Sequence, residues 1–197
     1  MVTRDADRGT AIVASTLTAT TELREKLRKE MDPERNELFF AKHVILVEGD
    51  TEKLALPEYA IRMEIDLDRL GCSIVEVGGK RNLKSFADIV ISFRIPVTVV
   101  FDTDSSDFGK ECKADEQAYN EALLGLQSEL VRIFGLDPNY ESVLRKELGD
   151  SEYLRLCQAY PGFSKPIKQR LIAADKSAPI PGFVKMIFGL FNAASVG

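Results

Sequence analysis

Three short apolar runs punctuate the first half of the chain. His43 to Val47 (HVILV), Ser73 to Val77 (SIVEV) and Pro96 to Phe101 (PVTVVF) are rich in β-branched residues, and each is followed by glycine or an acidic residue. Runs of this kind predict buried strands. Between them the apolar spacing changes to that of a helix, over Glu52 to Arg62 and over Leu83 to Phe93. Asp50 or Thr51 is placed to cap the first of these. Strands that alternate with helices favour a parallel sheet with helices on its faces.

After Asp107 the pattern changes. Ala114 to Phe134 reads as one long helix, followed by shorter helices over Tyr140 to Leu148 and Glu152 to Gln158. No further strong strand is expected, so residues from about 110 to 160 read as a helical insertion. Lys165 to Asp175 and Pro181 to Phe191 close the chain as helices, with Pro181 near a first turn. At the other end, residues 1 to 20 are polar and Thr/Ala-rich. Thr21 to Asn36 reads as a helix with Leu23, Leu27 and Met31 on one face. The expected organisation has a linker and N-terminal helix over 1–36, left from an upstream region. A core follows over 37–110, a helical insertion over 111–160, and C-terminal helices over 161–197.

Composition narrows the function classes. A chain of 197 residues with 45% hydrophobic content suits one domain, or one domain with a large insertion. The net charge is −5, which argues against attachment to nucleic acid mainly through a basic surface. It leaves room for an acidic site neutralised by bound metal. Cys72, Cys112 and Cys157 are widely spaced and form no CxxC pair, so a zinc ribbon is disfavoured and a reducing cytoplasm is the simplest setting. Apolar runs such as Val97 to Phe101 are far too short to span a bilayer. The single histidine, His43, excludes a His-rich metal site; it reads as structural or surface. Phe39 and Phe40 read as core packing rather than a base-stacking pair.

The chemistry-bearing residues sit at two strand ends. In VILVEGDTEKLALP, Glu48 falls where a buried strand meets a turn, Gly49 permits the turn, and Glu52 follows near a helix start. The two carboxylates are then expected to converge on the strand's C-terminal edge, where open α/β sheets place their sites. In VTVVFDTDSSD, a second strand delivers Asp102 and Asp104, which period-two alternation puts on the same side. Taken alone, Glu52 fits a favourable first-turn charge equally well, and Asp-x-Asp fits an acidic loop. Taken together, carboxylates this close repel, and a hard divalent cation such as Mg²⁺ is the economical partner. Two such ions suit chemistry at phosphorus.

Glu-Gly after one strand and Asp-x-Asp after a later one resemble a Toprim domain. ELFFAKHVILVEGDTEKLALP, VGGKRNLKSF and IPVTVVFDTDSSD resemble more closely the C-terminal Toprim nuclease region of the OLD (overcoming lysogenization defect) family. The resemblance implies an α/β fold, a Toprim-type parallel sheet flanked by helices with a helical insertion. It implies a metal-dependent DNA endonuclease using two Mg²⁺ or Mn²⁺ ions, with Ca²⁺ as a substitute. In that family the region follows an ABC-type ATPase. No GxxxxGK[ST] loop occurs here, so this chain is expected to be the nuclease half. Dimerisation is left open.

By position, the resemblance makes Glu48, Asp102 and Asp104 the core ligands and Glu52 the second glutamate of an ExxxE pattern. Glu141, in DPNYESVL, is the candidate acidic ligand after the insertion, with Asn139 beside it and Asp107 as a further possibility. Lys165, in GFSKPIKQRL, is the candidate catalytic lysine, with Lys168, Lys176 and Lys185 as rivals. Gly79 and Lys80 are candidate phosphate contacts, and Lys80, Arg81 and Lys84 form a basic cluster. Two other classes stand beside the nuclease. One is a Toprim-like interaction module without catalysis. The other is a phosphatase with Asp102 as nucleophile, disfavoured because its Asp-x-Asp belongs on a first strand.

Overall fold

The computed structural model describes residues 2–5, 9–12, 35–107, 110–111 and 114–192, with single positions at 21, 25, 29 and 33; side chains are not described for residues 1–20, 106–113, 190 and 192. A short antiparallel hairpin, β1 (Val2–Asp5) and β2 (Gly9–Ile12), comes first. Most of the helix expected over Thr21 to Asn36 lies outside the described residues.

The sheet begins with β3 (His43–Val47). α1 (Asp50–Arg62) and the single turn α2 (Leu67–Leu70) lead to β4 (Cys72–Glu76). α3 (Lys80–Ser92) crosses back to β5 (Val97–Asp102). A two-residue hairpin, β6 (Ser106–Asp107) with β7 (Lys110–Glu111), precedes α4 (Ala114–Leu124) and β8 (Val131–Leu136). Four helices close the chain: α5 (Tyr140–Leu148), α6 (Asp150–Ala159), α7 (Lys165–Ala174) and α8 (Gly182–Asn192). The strand order is β4-β3-β5-β8, and every pair is parallel.

Side-chain alternation divides the interior into two cores. Val44 and Leu46 of β3, with Val97, Val99 and Phe101 of β5, face α3, Leu38 and Leu123 of α4. Ile45, Val47 and Val100 face the opposite way, against Leu56 of α1, Leu144 of α5, Leu156 of α6, Ile172 of α7 and Val184 of α8. A sheet buried on both faces explains why the central strands read as unbroken apolar runs. Thr98 is the polar exception within β5, fully buried, and its Oγ1 lies 2.9 Å from His43 Nε2. Burial, and then Arg132, lower the His43 pKa to about 4, so this imidazole is neutral and structural. Its ring meets Phe191 edge-on.

Three expectations are corrected. The helix expected over Ala114 to Phe134 ends at Leu124, and Val131 to Leu136 is a strand. The turn at Gly125 and Leu126 breaks the helix. Beyond it, VRIFGL pairs along β5 from Val97↔Val131 to Asp102↔Leu136. Stretch 111–160 is therefore not purely helical; it supplies the fourth strand. Phe40 does not join the core and is 88% exposed, while Phe39 packs edge-on against Phe93. The N-cap residue of α1 is Gly49, with no side-chain cap bond, rather than Asp50 or Thr51.

α7 lies along α1. Arg62, at the end of α1, fastens the pair by donating to the carbonyls of Ala173 (2.8 Å) and Ala178. Leu144 is fully buried in the core that unites α5 with these helices. Leu144→Ala is expected to cost about 2–5 kcal/mol of unfolding free energy, read from urea titration of the full chain. A cost below about 1 kcal/mol would show that α5 does not pack here.

Candidate metal centre at the sheet edge

β3 and β5 run side by side, with Val47 opposite Val100. Their C-terminal ends therefore deliver Glu48 and Asp102 to one edge. The Asp102 N–H points at Glu48 Oε2 at 3.4 Å. α1 starts directly after the Glu48 turn, so Glu52 lies in its first turn, where helix N–H groups favour negative charge. It is nonetheless 4% exposed, an unusual burial for a glutamate.

α5 closes the site from the other side. Asn139 caps it by accepting from Ser142 N–H at 2.9 Å. The next amide, Tyr140 N–H, donates to Asp102 Oδ1 at 2.8 Å. Glu141 follows in the first turn of α5, and its Oε2 is 3.0 Å from Lys165 Nζ at the start of α7. Glu141 Oε1 is buried and has no hydrogen-bond partner.

Electrostatics mark the cluster. Burial, then the charges of Glu52, Glu48 and Glu141, push the Asp102 pKa up to about 8. Burial, then Glu48 and Glu141, push Glu52 up to about 7 against the pull of Lys165. Glu48 is raised by burial and by Asp104, against the Asp102 N–H. Lys165 loses hydration, but Glu141 first, then Asp102 and Glu52, hold its pKa above the ordinary value. One edge thus gathers Glu48, Glu52, Asp102 and Glu141, with the Lys165 ammonium against Glu141.

Asp104 is paired with a different cation, Lys80. Its φ of 52° is in the left-handed region, which aspartate tolerates better than most residues. Its N–H donates to the Pro138 carbonyl at 2.8 Å, and its Oδ2 lies 3.0 Å from Lys80 Nζ. Lys80 is 6% exposed and also contacts Glu116 Oε2 at 3.2 Å. The ammonium expected to meet a phosphate is thus already held by protein carboxylates. Gly79 N–H is likewise committed, to the Glu48 carbonyl at 3.0 Å. The basic cluster is neutralised in the same way, Arg81 by Asp115 and Glu116, and Lys84 by Asp88. The side chain of Asp107 is not among those described.

Among the described residues, no three His, Cys, Asp or Glu side chains close around a common point as a metal cage does. The carboxylates hold backbone N–H groups and lysines instead. The donor set still suits a hard cation. It consists of carboxylate oxygens and includes the unpaired buried Oε1 of Glu141; within it, burial first and neighbouring carboxylates second make Asp102 and Glu52 hold their protons more tightly than usual.

Sequence reasoning missed Glu116, Asn120, Asp137 and the Tyr140 amide. Asn120 Nδ2 donates to the Thr103 carbonyl at 2.6 Å, and Thr103 Oγ1 donates to Asp137 Oδ1 at 2.6 Å. These groups fix the Asp-x-Asp loop. An N-cap asparagine before Tyr140 was a readable signal; the contacts from α4 had none, because they depend on where β8 turns the chain.

Comparison with known proteins bears on the same segments. Residues 39–104 match the family described as overcoming lysogenization defect protein-like, TOPRIM domain. This match takes in Glu48, Glu52, Lys80, Asp102 and Asp104, and stops short of Glu141 and Lys165. A protein of Thermus scotoductus named OLD nuclease is 35% identical over 81 residues. That alignment spans 41% of this chain but only 15% of the relative's length. The C-terminal region of the Burkholderia pseudomallei OLD protein superposes with a TM-score of 0.53 at 20% identity, covering 79% of this chain and 99% of that one. That likeness carries the fold. Residues 39–104 of this chain are thus similar to the OLD-like TOPRIM domain, the segment that holds both acidic motifs.

Proposed function

We propose that this chain is the DNA-cleaving part of a larger OLD-type protein and hydrolyses phosphodiester bonds with divalent metal ions. One observation carries the reading: Glu48, Glu52, Asp102 and Glu141 share one sheet edge, where burial and then mutual repulsion raise the pKa of Asp102 and of Glu52. Groups in that condition are ready to exchange protons for a cation. Glu48, Asp102 and Asp104 are the core ligands in this reading, and Glu52 and Glu141 complete a second position. Mg²⁺ or Mn²⁺ bound there supplies an activated water and offsets charge at the leaving oxygen.

The chain's own residues do the rest. The Tyr140 amide fixes one oxygen of Asp102, and the Asp102 amide steadies Glu48. Asn139 spends its side-chain oxygen on the α5 cap, so its part is to orient Tyr140 and Glu141 rather than to bind an ion. Lys165 is 61% exposed at its side chain and borders a cleft of about 300 Å³ with Arg145, Ser142 and Tyr153. From there its ammonium reaches negative charge forming at phosphorus. Asp102 ends β5 and not the first strand of the sheet, which weighs against the phosphatase reading. The ATPase that precedes such a region in this family is the proposed source of control. It is also the proposed source of most of the DNA affinity, to which a chain of net charge −5 contributes little.

Incubation of the chain with supercoiled plasmid and Mg²⁺ or Mn²⁺ is expected to give nicked or linear DNA, and none with chelator. Glu48→Gln and Asp104→Asn are each expected to lower the rate by about 100-fold while leaving circular dichroism unchanged. Intact plasmid with both metals at high protein concentration would falsify the nuclease reading; hydrolysis of p-nitrophenyl phosphate in its place would favour the phosphatase. Lys165→Ala is expected to slow cleavage by about 10²–10³-fold with Mn²⁺ affinity retained. Undiminished cleavage removes Lys165 from the mechanism.

Metal and pH are linked through the two raised carboxyls. Each binds its proton more tightly folded than unfolded, from ordinary values of 3.8 for Asp102 and 4.5 for Glu52. Their contribution to the stability of the chelated chain is therefore full below about pH 4. It is lost as pH rises, until about pH 8 for Asp102 and about pH 7 for Glu52. Melting curves in chelator are expected to show this loss, and Asp102→Asn to flatten it. Added Mg²⁺ should raise the melting temperature more at pH 8.5 than at pH 6; an equal rise at both would disconnect these carboxyls from the metal.

A further inference from the structure

Lys80 is buried between the two acidic motifs without belonging to either. It opens α3, immediately after Gly79, whose N–H is bound to the Glu48 carbonyl at 3.0 Å. Its backbone is thus tied to the first motif. Its side chain crosses to the second, with Nζ 5.7 Å from the centroid of the Phe101 ring. The ammonium reaches Asp104 Oδ2 at 3.0 Å, Glu116 Oε2 at 3.2 Å and the Thr103 carbonyl at 3.4 Å. A lysine that is 6% exposed costs much to bury unless it is fully paired, and here three oxygens surround it. The loop it grips is held from elsewhere too. Thr103 N–H donates to the Leu136 carbonyl at 2.9 Å, and Asn120 holds the Thr103 carbonyl.

We propose that Lys80 is a positioning residue that sets the Asp104 carboxylate for a metal ion, with Glu116 as the anion that keeps the ammonium in place. This rests on the metal-dependent reading given above. With Oδ2 held by Lys80, Oδ1 is the oxygen left to a cation, and the carboxylate no longer rotates freely. Hydrogen-bonded partners of ligating carboxylates typically matter by 10–100-fold in metal affinity. The contrary view is that Lys80 is a plain internal counter-ion. A positive charge next to a ligand would then repel the incoming cation, and its removal would tighten binding. The two views differ in sign.

Titration calorimetry with Mn²⁺ on the full chain separates them. The wild type is expected to bind, and Asp104→Asn to bind far more weakly; if either fails, the metal reading itself is at fault. Given both, Lys80→Met is expected to weaken Mn²⁺ binding by about 10–100-fold, and Lys80→Arg, which keeps a charged donor, to recover at least part of the loss. Unchanged or tighter binding in a folded Lys80→Met overturns the proposal. Should Lys80→Met not fold, the side-chain ammonium of the wild type is followed by NMR during Mg²⁺ titration. Retained protection from exchange with a persisting bond to Asp104 supports it, and release on metal addition overturns it.

Discussion

The constraint on which the rest depends is the removal of like-charged carboxylates from water at the end of a parallel sheet. A parallel arrangement points adjacent strands the same way, so residues that follow β3 and β5 inevitably meet. Glu48 and Asp102 are brought together by backbone geometry, whatever their mutual repulsion. Isolated charges would not survive such burial. Each is met by a fixed N–H dipole, the Tyr140 amide for Asp102 and the Asp102 amide for Glu48. The stability of the core absorbs the remaining cost, because Ile45, Val47 and Val100 lie directly beneath the charged edge.

Two lysines flank this edge, and their environments differ sharply. Lys80 is enclosed, and Lys165 has 61% of its side-chain surface in water. An enclosed ammonium with three oxygen partners has little freedom to change company. An exposed one, paired to Glu141 alone in the described contacts, can shift toward another anion at little cost, since exposed ion pairs are weak. The same residue type thus serves rigidity on one side of the edge and mobility on the other.

The sheet and its acidic edge were legible because both strong signals are local. HVILV and PVTVVF announce buried strands by composition, and the acids follow within a few residues. Glu141 and Lys165 came from the family resemblance, and the structure brings them into contact with each other. What escaped was β8. VRIFGL follows a helix and contains apolar residues that also fit a helical period, so the turn at Gly125 was overlooked. Without β8 the contacts of Asp104 and Thr103 with Pro138 and Leu136 are invisible, and so is the approach of α4 to Lys80. Lys80 itself read as an open phosphate contact because sequence reports charge but not depth. Phe40 shows the opposite error, an aromatic side chain with no interior to enter.

The packing of α7 on α1 has a consequence for how the charged edge is completed. The segment that matches the family, residues 39–104, holds Glu48, Glu52, Asp102 and Asp104. The lysine that balances them arrives much later in the chain, through a helix whose place is set by Arg62 and the carbonyls of Ala173 and Ala178. The acids of the two strand ends thus come with the sheet, while Lys165 depends on the helices that cover that face. A shift of one turn in the docking of the last helices would then relocate the Lys165 ammonium beside an otherwise fixed edge.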